Sequence, residues 1–347
     1  MRLFSYRNRT RFRKIAITLL TIFLIAAALT LCVLAYLDRY IVYDSEGAHL
    51  DLHWQETSGA SQTVATPSID AEISYVSADD EVAIGSTRKV TGYYISTEML
   101  QDPEAVQTAL DAGSYYAVLI DLRDGFGNYY YPSGISGAQT ATTVNAQAVK
   151  DLISSLRQSG VYLIARIPAF ADQNHCLNNT DLGLPLSSGA LWADGNGCYW
   201  MDPANPGSIS HMEAVCTELQ SLGFREVVLD DFYFPDSDSI VYDESEKTKD
   251  SALTDAFNVL QSDLSALDLK VSIGLPSDKT FPGMLTEGRI YFELDDGAEI
   301  GSLVDSQEAT VAIPDVQIVF LTESHDTRFE SYGYLTPAVE GQVPEDE

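Results

Sequence analysis

From Val90 onward the chain alternates between apolar runs of strand length and segments with helical spacing, and several of the runs stop at a charge. The most telling is Glu226-Val227-Val228-Leu229-Asp230-Asp231-Phe232-Tyr233-Phe234-Pro235. Aliphatic and β-branched residues favour a strand, and a run without polar alternation predicts burial on both faces, as in a parallel sheet covered by helices. Asp230 and Asp231 then stand where the strand leaves the core. In parallel α/β folds, ligands bind at the carboxyl ends of strands.

The same pattern predicts strands at Val90–Ser96, Tyr115–Leu122, Val161–Phe170, Lys270–Leu275 and Arg289–Leu294, and two last ones at Thr310–Ile313 and Val316–Leu321. Helices are expected at Asp102–Ala112, with Asp102 as cap and Pro103 first, at Asn145–Gln158, at Ser208–Leu222 closed by Gly223, and at Ala252–Leu267. Eight strands in strand–helix alternation fit a (β/α)8 TIM barrel of the α/β class, shortened in its C-terminal half.

Ile15 to Leu37 is a different kind of run: 23 residues without a charge. At about 1.5 Å per residue it crosses a hydrocarbon core of roughly 30 Å. Residues 1–14 before it are basic and are expected in the cytoplasm, with the C-terminal bulk extracellular. A cleaved signal peptide has a shorter apolar region and a small-residue cleavage site, so a single-pass membrane signal-anchor is the expectation. Residues 38–89 read as an extracellular stalk, 90–335 as the barrel, and 336–347 as an acidic disordered tail.

Composition adds an exclusion. The net charge is −31, with 51 Asp and Glu against 20 Lys and Arg. Such a surface repels nucleic acid. The four cysteines and five histidines show no zinc spacing, and no metal site or cofactor is expected. Calcium at Asp230, Asp231, Asp295 and Asp296 is a weaker idea, resting only on the taste of hard cations for oxygen. Cys176 and Cys198 lie in one long loop, Ala171–Pro206. Outside the cytoplasm they are expected to form a disulfide, with two buried free thiols as the alternative.

A barrel would collect on one rim Asp121, Arg123 and Asp124, then Arg166, then Asp230 and Asp231, then Glu293, Asp295 and Asp296, with Glu323 near the eighth strand. Converging carboxylates are what glycoside hydrolysis needs: one to protonate the leaving oxygen, one as nucleophile or base. An acidic protein also puts some acids on strand ends by chance. Asp230 is the leading catalytic candidate, with Glu293, Asp295 or Asp121 as partner and Glu293 preferred for its place at a strand end. By strand alternation only one of Asp230 and Asp231 points into the mouth. Arg166, a cation inside an apolar strand, needs a carboxylate partner, for which Asp121 or Asp230 is available. Trp192, Trp200 and Tyr233 offer flat faces for stacking on sugar rings, though such residues also simply pack loops. With Asp231, Arg166, Asp202 and Asp295 they make up the expected substrate-binding set.

These motifs in order, from Val90-Thr91-Gly92-Tyr93-Tyr94 through Ile120-Asp121-Leu122-Arg123-Asp124, Ala165-Arg166-Ile167, Leu191-Trp192, Trp200-Met201-Asp202-Pro203 and Leu229-Asp230-Asp231-Phe232, resemble the glycoside hydrolase-like TIM-barrel domain family of bacterial surface proteins, a domain of unknown function. The resemblance is good to Pro235 and poor beyond. It implies a carbohydrate ligand, and it matches Asp121, Arg166, Asp202 and Asp230 to positions where the family has the same residue. Where the family has Tyr, an aliphatic residue and Arg after the fourth-strand Asp, this chain has Asp231, Phe232 and Tyr233. The expected function is therefore a membrane-anchored glycoside hydrolase acting on cell-wall or extracellular polysaccharide, such as a peptidoglycan glycan. The alternative is an inactive glycan-binding barrel for wall attachment or envelope assembly.

Overall fold

The computed structural model describes residues 41–44, 47–50, 88–113, 115–294, 300–323 and 327–339. The chain divides into two compact units, Met1–Asp79 and Asp80–Glu347. In the first, Ile41–Asp44 pairs antiparallel with Gly47–Leu50. The expected membrane span and most of the expected stalk lie outside the described residues, within which no helix is long and apolar enough to cross a membrane.

The second unit is a closed barrel of eight strands, all paired in parallel. They are β1 (Thr91–Ile95), β2 (Ala117–Asp121), β3 (Tyr162–Pro168), β4 (Glu226–Asp230), β5 (Lys270–Gly274), β6 (Ile290–Glu293), β7 (Ile318–Leu321) and β8 (Gly333–Pro337). Their spatial order is their chain order, and β8 closes on β1. The wholly apolar positions of β2 and β4 are buried, as expected of strands with barrel side chains on one face and helices on the other.

The helices follow their caps. Helix α1 (Pro103–Asp111) starts where the Asp102 carboxylate accepts the Ala105 N–H at 3.0 Å. Asn145 does the same for α2 (Ala146–Gln158). Asp172 caps the short α3 (Gln173–Asn178). Helix α4 (Pro206–Leu222) ends at Gly223, whose φ of 106° is the left-handed stop that glycine makes easily. Thr248 caps α5 (Lys249–Ser265). Among the described residues after β6 the α-helices are α6 (Ile300–Ser306) and the single turn α7 (Pro314–Gln317). The C-terminal half is thus compressed, yet the barrel is complete.

Two expectations need correction. Thr310–Ile313 is not a barrel strand; Val311 makes an isolated bridge to Leu285 beside the barrel. The last strand is Gly333–Pro337, which takes in the first two residues of the expected acidic tail.

The barrel floor is sealed by one buried charge. Glu226, the first residue of β4, is fully buried. It pairs with Arg289 and accepts hydrogen bonds from Tyr162 at 2.9 Å, Ser272 at 2.6 Å and Tyr291 at 2.9 Å. Donors from β3, β5 and β6 satisfy the carboxylate, as a buried charge requires. Alternation along β4 from this floor carries Val228 and then Asp230 up the same face toward the opposite rim.

Candidate active site

At that rim the side chains gather around Arg166. It lies beside Asp121 in the β2–β3 register and is almost enclosed. Its Nε and Nη2 donate to the two Asp121 carboxylate oxygens at 2.6 and 2.8 Å, a bidentate fork. Its Nη1 donates to Glu293 Oε2 at 2.7 Å and stands 3.7 Å from Asp230 Oδ2. One guanidinium therefore holds carboxylates from β2, β4 and β6. The partner Arg166 needed is Asp121 on the neighbouring strand, with Asp230 and Glu293 added.

The three acids differ in access. Side-chain exposure is 13% for Asp121, 36% for Asp230 and 62% for Glu293. Asp121 is anchored, while Asp230 and Glu293 face solvent. Burial, opposed by Arg166 and reinforced by Asp121 and Glu293, pushes the Asp230 carboxyl above the usual carboxylate range. Gly274 at the end of β5 makes room for it: a Cβ there would sit 2.0 Å from Asp230 Oδ1.

Asp231 departs from the expected alternation. Its φ of 53° is left-handed, unusual for a residue other than glycine. Strand geometry ends there, and the second acid is not simply turned away. Burial and the Asp230 charge raise its carboxyl to about 6, with Arg166, Asp194 and Glu293 also felt. The folded protein thus holds this proton more tightly than the unfolded chain. The stability so gained is full below pH 4 and is lost as pH rises through about 6. Asp231→Asn removes that loss, and asparagine tolerates a positive φ. Thermal melts are expected to show the variant more stable by about 2 kcal/mol at pH 7.5 and level with wild type at pH 4.

The remaining expected residues fall in different places. Tyr233 is half-buried, its ring 5.3 Å from that of Trp200, with the Lys279 ammonium 5.5 Å from its centre. Trp192 is half-buried against Trp200, ring centres 6.1 Å apart. Trp200 itself is 3% exposed and its indole N–H donates to Asp194 at 2.9 Å. It therefore cannot stack on a ligand and instead backs the other two rings. Asp202 sits in the turn before α4, accepting the Ala204 N–H at 2.8 Å, apart from the Arg166 cluster. Asp295 and Asp296 lie outside the described residues. Among the described residues no group of three His, Cys, Asp or Glu is placed to hold a metal.

The expected disulfide is not formed. Cys176 and Cys198 are both buried free thiols. Cys176 is fixed within α3, and the Cys198 sulfur packs toward Gly125 and Ala171. The loop around them is ordered by short antiparallel bridges instead, including Ala171 with Trp200, Gly183 with Met201 and Ala193 with Tyr199.

One member of the site was missed. Tyr94, near the end of β1, is buried beside Glu293 and Arg166, and desolvation raises its hydroxyl to about 12. It keeps its proton and remains a donor at neutral pH. Its signal was its place at the end of an apolar strand.

Among solved structures, a hypothetical protein from Ruminiclostridium thermocellum is 20% identical, with 52% of this chain and 96% of that one covered and a TM-score of 0.46. A GH36 alpha-galactosidase from Geobacillus stearothermophilus in complex with raffinose is 10% identical, with 74% of this chain covered and a TM-score of 0.51. The chain spans only 40% of that galactosidase's length. A chitobiase from Flavobacterium johnsoniae is 12% identical, covering 67% of this chain and 38% of its own, with a TM-score of 0.44. At 10% identity, what this chain shares with the galactosidase is the fold. No curated protein matches the sequence. Residues 92–276, more than half of the chain and the part that carries Asp121, Arg166, Asp230 and Asp231, match a single family, so the chain belongs to the family described as "Putative glycosyl hydrolase domain".

Proposed function

We propose that this protein is a glycoside hydrolase acting on cell-wall or extracellular polysaccharide, with Asp230 and Glu293 as its two catalytic carboxyls. One observation carries the reading. Asp230 Oδ2 and Glu293 Oε2 lie 3.7 and 2.7 Å from the same Arg166 nitrogen, so these oxygens are at most about 6.4 Å apart. Retaining enzymes place their carboxyls about 5–5.5 Å apart, and inverting ones about 6.5–9.5 Å. The bound favours retention. One carboxylate would attack the anomeric carbon while the other carboxyl gives its proton to the leaving oxygen. The second would then take a proton from water, whose oxygen displaces the first from the anomeric carbon. Asp121 fixes Arg166, and Trp192 and Tyr233 would carry sugar faces.

The run Ile15–Leu37 after a basic segment supports a membrane anchor with the barrel outside the cell. In that setting the substrate would be a wall or extracellular glycan. A second reading, a barrel that binds glycan without cutting it, is favoured by the hydrogen bond that ties Glu293 to Arg166. Incubating the protein with a panel of wall and plant glycans separates the two. The hydrolase releases reducing ends from at least one of them. Saturable binding without release would leave the binder as the better account.

A further inference from the structure

A polar cavity of about 310 Å³ lies between the loop after β2 and the segment after β3, and none of the Arg166 cluster lines it. Its floor is Asp172, whose Oδ2 accepts from Arg123 Nη1 at 2.8 Å and meets His211 Nε2 at 3.2 Å. The other oxygen accepts the His175 N–H at 2.8 Å. The two imidazoles stack, centres 3.6 Å apart and 16° from parallel. Burial, and then the neighbouring His211, push His175 below its ordinary range, so that ring stays neutral. Asp172 and Arg123 cancel each other.

Other groups in the wall keep spare hydrogen-bonding capacity. Tyr129 is 2% exposed. Burial raises its hydroxyl, opposed by the nearby Arg123, so the phenol keeps its proton. The Asn178 and Asn179 Nδ2 groups donate to Asn174 O and His175 O, which leaves their carboxamide oxygens as acceptors.

We propose that this cavity is a second binding site, for a neutral polyhydroxyl ligand of about one sugar ring. A free anion would meet Asp172, and a cation would find that carboxylate already matched by Arg123 behind it. A hydroxyl-rich neutral ring can both donate and accept, which suits carboxamides and imidazoles. The volume is at the low end for small-molecule sites, about 300–1,000 Å³. The site is tied to the rim: Arg123 Nη2 donates to Pro168 O at 2.6 Å, and the following Ala169 N–H donates to Asp230 O at 2.7 Å. The proposal does not depend on hydrolysis at Asp230.

The test is titration of the full chain, by calorimetry and saturation-transfer NMR, with glucose, galactose and N-acetylglucosamine. Glucuronate and glucosamine serve as charged counterparts. A neutral sugar is expected to bind saturably. Ser136→Trp, at an exposed lip of the cavity, should weaken it at least about tenfold, and Asn178→Ala should weaken it less. Asp230→Asn should leave it unchanged. Both lip residues are exposed, so melting temperatures should match wild type. The proposal is overturned by no saturable neutral binding, by binding that survives Ser136→Trp, by loss of binding in Asp230→Asn, or by tighter binding of a charged sugar.

Discussion

Asp230→Asn is expected to lower glycan hydrolysis by about 10³-fold or more while glycan binding persists. The substitution keeps the size of the side chain and removes its ionisable carboxyl. The space that Gly274 leaves for the carboxylate admits an amide equally well. Arg166 keeps its fork to Asp121 and its bond to Glu293, losing only the contact at 3.7 Å. The raised carboxyl of Asp230 means that ionising it at neutral pH costs folding energy. The variant should therefore melt at or above the wild-type temperature, as often happens when a strained functional group is neutralised. Initial rates of reducing-end release, measured beside thermal melts, check both halves. Undiminished release would remove Asp230 from the chemistry.

Arg166→Leu should have the opposite effect on the fold, destabilising it by about 3–5 kcal/mol at pH 7. Leucine offers no donor, so Asp121 loses both hydrogen bonds while enclosed, and three carboxylates face one another without a counter-charge. In the variant these acids should hold protons more tightly than in the unfolded chain. Its deficit is then largest above about pH 6 and shrinks as pH falls toward 4. Arg166→Lys should recover only part of the loss, since an ammonium cannot reproduce the fork. Urea denaturation at pH 4.5 and 7.5 measures this. A deficit independent of pH would mean that packing, not charge, is what Arg166 supplies.

Much of the barrel was legible because its central strands are buried on both faces. Ala117–Asp121 and Glu226–Asp230 read as continuous apolar runs that end in acids, and such runs have few other uses. Gly333–Pro337 carries no such signal. Its buried and half-buried positions alternate, glycine and proline stand at its ends, and it takes its place only through parallel pairing with β7 and β1. Thr310–Ile313 has the composition of a strand without the partners.

The site followed the same logic. Asp121, Arg166 and Asp230 were visible because each interrupts a buried run, and an interruption of that kind must be compensated in space. Sequence spacing did not reveal that one guanidinium would serve three acids. Nor did it show the left-handed turn at Asp231, which alternation cannot anticipate, or the clearance that Gly274 provides. Trp200 looked like a sugar platform because an aromatic residue in a loop carries no mark of its burial. The spacing of Cys176 and Cys198 likewise said nothing about the orientation of their sulfurs.

Proton NMR of the first sugar released from a glycan of known linkage tests the pairing of Asp230 with Glu293 most directly. Their closeness around Arg166 predicts a new hemiacetal with the anomeric configuration of the bond that was cut, before mutarotation blurs it. The opposite anomer, appearing first, would contradict the account.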